Sequence, residues 1–107
     1  MAKVKITIYK KIIFEELLDQ LDYNDPGNKD FGICPKFEVG QEFIINNIDD
    51  IPNVFCSWAW SDIQRDVAMI LYGAEPEPRL KKSHSIYSSC DEGIRPVIFY
   101  IERVDDN

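Results

Sequence analysis

The chain has 107 residues, with 12 Lys+Arg against 19 Asp+Glu for a formal charge of −7, and 45% of its residues are hydrophobic. That length suits one domain around one core, which buries roughly 60–70% of the unfolded surface. Aromatic and aliphatic residues run through the whole chain and exclude collagen-like, low-complexity and disordered classes. The acidic balance argues against a nucleic-acid partner, because phosphate neutralisation needs clustered Lys and Arg.

In chain order, Met1 to Lys5 leads straight into alternating residues with no long apolar run, which predicts no signal peptide. Val4, Ile6 and Ile8 alternate with Lys5, Thr7 and Tyr9, the period of a half-buried strand. Phe14, Leu17, Leu18 and Leu21 then fall at helical spacing and predict a short amphipathic helix over Phe14–Asp22. Tyr23 to Cys34 reads as loop, dense in turn formers around Pro26 and Gly27. Phe37 to Ile45 is strand-like, with Gly40 as a bulge or turn, and Asn46 to Asn53 is a further loop.

The second helix carries the stronger signal, an apolar stripe of Trp60, Ile63, Val67, Ile70 and Leu71 closed by Gly73 as a C-terminal cap. Ser57 is the preferred N-cap, since it puts Trp60 on the stripe; Ser61 with Gln64 is the competing capping box. Ala74 to Pro78 ends regular structure, Arg79 to Lys82 reads as a mobile segment, and His84–Cys90 as a strand. Asp91-Glu92-Gly93 reads as a hairpin turn, and Arg95–Val104 as the last strand. The order predicts an α+β fold, an antiparallel sheet of four to five strands with two helices packed on one face. One domain spans 1–107, with a folded core over 2–104 and an acidic tail over 105–107. No run reaches the roughly 20 apolar residues of a membrane span, so no membrane partner is expected.

Cys34, Cys56 and Cys90 are an odd number, widely spaced, which predicts reduced thiols in a cytoplasm rather than a disulfide framework. Each stands at an element boundary, where a thiol is reachable by reagents and ligands. Drawn together, the three thiolates would hold zinc or iron, with His84 or a water as a fourth ligand. The spacings alone leave two alternatives open, a reactive thiol and the commoner fate of a free cysteine, packing as a small hydrophobe. His84 is the single histidine, and the strand spacing puts it about 20 Å from Cys90, too far for a nucleophile–base pair within one strand, so that only Cys34 or Cys56 could approach it, across strands. Trp58 and Trp60 are two apart on a helix and face nearly opposite ways, so Trp58 is left for a loop, a pocket or a partner subunit. Asp62 and Asp66 read as a solvated helix face. Arg95, next to the Asp91-Glu92-Gly93 turn, reads as a partner for a turn carboxylate or for an anion.

Three blocks occur together and in order: Cys34-Pro35-x-Phe37-x-x-Gly40, Phe55-Cys56-Ser57-Trp58-Ala59-Trp60-x-Asp62-Ile63 and Cys90-x-x-Gly93-x-Arg95-Pro96-Val97-Ile98-Phe99. With them the chain resembles, from Val4 to Arg103, a family of small functionally uncharacterised prokaryotic proteins. The resemblance marks the three cysteines, the Trp pair and Arg95 as signature positions and implies no catalytic residue. The family often carries a second cysteine where this chain has Ser89, which weighs against a four-cysteine metal scheme.

The expectation is therefore a small cytoplasmic binding module with Cys34, Cys56 and Cys90 as metal ligands or Trp58 and Arg95 as ligand-binding residues. The cofactor is open, zinc or iron being the candidates, and the partner is a metal or a small molecule. The alternatives are a cysteine-dependent enzyme or redox protein and a homo-oligomeric interaction protein.

Overall fold

The computed structural model describes residues 2–18, 20, 33–49 and 51–105. Alternation in β1 (Ala2–Lys11) sends Val4, Ile6 and Ile8 to one side, and all three are fully buried. The same period buries Phe43 and Ile45 of β2 (Glu42–Ile45) and Val97, Phe99 and Ile101 of β4 (Val97–Asp105). With β3 (Ser85–Ser89) these strands form one antiparallel sheet in the order β2-β1-β4-β3. The fold class is the expected one, with the sheet at four strands.

A single turn, α1 (Glu15–Leu18), follows β1. Its start is fixed by the Phe14 N–H donating to the Ile94 carbonyl at 2.9 Å. The far end of the expected helix, Leu21 and Asp22, lies outside the described residues, as do the turn formers around Pro26 and Gly27 and the last two residues of the tail.

Helix α2 (Ser57–Leu71) lays Ala59, Trp60, Ile63, Val67 and Ile70 on the sheet. Its N-cap is Cys56 and not Ser57, which forms the first helical residue, and no side chain caps this end. At the other end Gly73 (φ +93°) donates to the Ile70 carbonyl and Ala74 to that of Met69, a Schellman closure. A Cβ on Gly73 would stand 3.0 Å from the Arg103 guanidinium, the far end of a flexible side chain, so the cost of substitution is mainly backbone strain. Gly73→Ala is expected to lower stability by about 1–3 kcal/mol in urea unfolding; an unchanged midpoint would refute the need for positive φ there.

Two segments differ from their sequence reading. Phe37–Gly40 is a turn before β2, with Gly40 at φ +92° and its N–H donating to the Ile8 carbonyl, so only Glu42–Ile45 keeps strand pairing. The 74–84 segment is tied down. The His84 N–H donates to Glu75 Oε1 at 2.9 Å, its Nδ1 lies 2.9 Å from the Ala74 carbonyl, and Arg79 pairs with Glu77 at 2.6 Å. That guanidinium hydrogen bond lowers the Glu77 carboxyl to about 2.

Within a mostly aliphatic core, an aromatic cluster packs around Phe55 and Phe37. Phe37 meets Phe43, Phe55 and Phe99 edge-on at 6.0, 5.0 and 5.5 Å, and Phe55 meets Trp60 at 5.9 Å. The opposite face carries Tyr87 between Tyr9 and Tyr100, at 5.0 and 4.8 Å, and the Lys5 ammonium near both Glu42 and Glu102. Among the described residues no helix is long and apolar enough to cross a membrane.

Candidate functional site

Cys34 is placed by the end of β1. The β1–β4 register shifts between Ile8 and Lys10, so Tyr9 is an extra residue and Lys11 pairs with the buried Val97. A bulge re-aims every side chain beyond it. Without it, Lys11 would share the outward face with Tyr9. With it, the Lys11 ammonium reaches across the sheet end and donates to the Cys34 carbonyl at 3.0 Å and the Phe37 carbonyl at 2.5 Å. Phe37 anchors the same segment in the core.

Cys56 is placed by a strained turn. Val54 sits at φ +57°, a conformation that costs a β-branched residue about 1–3 kcal/mol, and the Phe55 N–H donates to the Pro52 carbonyl. This turn sends Phe55 into the aromatic core and delivers Cys56 as the first cap of α2. One residue into the helix, Trp58 is 83% exposed while Trp60 is 7% exposed, the opposed orientation expected from their spacing.

Cys90 and Arg95 are placed by the β3–β4 connection. Cys90 and Val97 close it reciprocally: the Cys90 N–H donates to the Val97 carbonyl at 3.2 Å, and the Val97 N–H donates to Cys90 Sγ at 3.3 Å. The connection is docked onto α2. Asp62 Oδ2 accepts from the Asp91 N–H at 2.7 Å, and Asp66 Oδ2 accepts from the Ser88 hydroxyl at 2.6 Å. The two carboxylates read as a solvated face are thus the fasteners between helix and hairpin.

These segments meet around one cavity of about 570 Å³. Cys34, Cys56, Cys90, Trp58 and Arg95 all line it. Phe37, Ala59 and Val97 add apolar wall, and Lys36 and Asp62, with the turn residues Asp91 and Glu92, add charge. The three cysteines are free and half-buried. Among the described residues no group of three or more His, Cys, Asp or Glu is arranged to hold a metal ion, so the thiols share a wall without forming a ligand cluster. His84 is held by Ala74 and Glu75 and is not part of the wall. Another hollow, of about 590 Å³, is lined only by the consecutive run 35–41 and gathers no distant residues.

Sequence reasoning missed Lys36, Asp62 and the clamp residue Lys11. Asp62 and Asp66 carry the only available signal, an i, i+4 pair next to the apolar stripe. No known family model matches the chain, and no curated protein or solved structure matches it either.

Proposed function

We propose that the protein binds one small organic molecule in the cavity between the start of α2 and the β3–β4 connection. One observation carries this reading: five residues singled out for their chemistry, from three separate segments of sequence, line the same cavity. Its volume of about 570 Å³ suits such a ligand, since small-molecule sites run from roughly 300 to 1,000 Å³. Trp58 offers an indole that no core contact requires, and the mixed charges offer orienting contacts. The motifs that carry the resemblance to the small prokaryotic family would, on this reading, encode the cavity wall. A reducing, cytoplasmic setting goes with it, since three free thiols persist there.

The test is a titration with 8-anilinonaphthalene-1-sulfonate, an aromatic sulfonate whose emission rises in apolar sites. Saturable binding of one dye per chain is expected, with energy transfer from tryptophan. Trp58→Ala should weaken it roughly threefold to tenfold, the worth of one aromatic contact. Binding that ignores Trp58 would overturn the reading.

A further inference from the structure

We infer that the ligand of this cavity is a zwitterionic disulfide of the amino-acid or short-peptide class, and that Cys90 exchanges with it to form a mixed disulfide. The inference rests on the cavity reading above and adds the ligand's chemistry to it.

Three features of the wall point the same way. First, three free, half-buried cysteines from three separate segments line one cavity. Second, the wall carries both signs of charge. Lys36 and Arg95 are cationic, and Asp62, Asp91 and Glu92 are anionic. A simple anion would face the carboxylates, and a simple cation would face Lys36 and Arg95. A molecule bearing both ammonium and carboxylate groups finds a partner at each end. Asp62 is already occupied by the Asp91 N–H, and Arg95 is engaged within the protein, which leaves Lys36 and the carboxylates of Asp91 and Glu92 as the contacts that decide the matter. Third, Cys90 differs from the other two cysteines in its polar partner, because the Val97 N–H is aimed at its sulfur from 3.3 Å. The reciprocal Cys90–Val97 hydrogen bonds also hold Cys90 in a cavity wall that includes Asp91, Glu92 and Val97.

The exchange balances without a further reactant. Cys90 gives its thiol proton to solvent, and its sulfur attacks one sulfur of the ligand. A new S–S bond forms as the ligand's own S–S bond breaks. The released half leaves as a thiolate and takes up a proton, so one cysteine is oxidised as one ligand sulfur is reduced.

The test compares two disulfides on the reduced, full-length protein, with adducts read by intact mass and peptide mapping. Oxidised glutathione carries ammonium and carboxylate groups, and bis(2-hydroxyethyl) disulfide carries neither. The ratio of the two rates at Cys90 is compared with the same ratio for a free cysteine peptide, which cancels intrinsic reactivity. The protein's ratio is expected to exceed the peptide's by about tenfold, and Lys36→Gln and Glu92→Gln should each lower it roughly threefold. Both side chains are exposed, so neither change threatens the fold. Cys90→Ser should abolish the adduct, and Cys34→Ser and Cys56→Ser should leave it. A ratio equal to the peptide's, or an adduct on Cys34 or Cys56 instead, overturns the inference. If dye binding still depends on Trp58 in that case, the cavity reading stands alone; if it does not, both fall.

Discussion

Replacing Phe99, the largest fully buried side chain among the described residues, with alanine is expected to cost about 4 kcal/mol. Phe99 is fully buried near the start of β4, which lies between β1 and β3. Its ring meets Phe37 edge-on at 5.5 Å and lies 5.8 Å from Phe55. Truncation removes apolar area and leaves a void between two rings that are themselves held by Phe43 and Trp60, so collapse into the gap is restricted. Natural domains have only about 5–15 kcal/mol in total, so the variant should unfold at a much lower urea concentration. The neighbouring Tyr100 is the internal control. It points to the opposite face, against Tyr87, and Tyr100→Ala should cost roughly 1 kcal/mol. A Phe99 variant no worse than the Tyr100 variant would refute the assignment of the core face. The site should suffer too, because Phe37 anchors the segment that carries Cys34 and Lys36, and dye binding should weaken in Phe99→Ala below its unfolding midpoint.

What the amino-acid sequence makes legible here is whatever depends on local period. Val4, Ile6 and Ile8 announce their face by alternation, and Trp60 to Ile70 announce theirs by helical spacing. Gly73 is legible as a cap because positive φ is a local requirement. Cys34, Cys56, Cys90, Trp58 and Arg95 stood out by residue type and boundary position, and the fold brings them to one wall. What was not legible depends on pairing between distant residues. The bulge at Tyr9 exists only in register with Phe99 and Ile98, so nothing near Lys11 in sequence says which way its side chain points. Asp62 and Asp66 look like any solvated i, i+4 pair until β3 and its turn arrive to donate to them. Ser57 is a better cap by residue type than Cys56. The turn at Val54 nevertheless sets where the helix begins, and it places the sulfur at the cap.

Lys11 is where that hidden register has the largest effect on the site, and Lys11→Met is expected to loosen one wall of the cavity while keeping the sheet. Methionine preserves most of the apolar stem and removes the ammonium. Two carbonyls, those of Cys34 and Phe37, then lose a charged donor at 3.0 and 2.5 Å. A hydrogen bond to a charged group contributes about 1.5–3 kcal/mol when its loss leaves a buried partner unsatisfied. The Cys34 carbonyl belongs to a half-buried residue that water reaches in part, so the two bonds together should amount to roughly 2–3 kcal/mol. Much of that loss should appear as local opening of the 33–37 segment, because the β1–β4 ladder does not depend on the ammonium. Native-state alkylation of Cys34 should therefore speed up severalfold, while Cys56 and Cys90 change little. Lys11→Arg should recover part of the effect, since a guanidinium still donates to carbonyls but in a fork that differs from the ammonium's geometry. Faster labelling of all three cysteines alike would mean global destabilisation. Unchanged labelling of Cys34 would mean that Phe37 alone holds the segment and that the bulge has no bearing on the cavity.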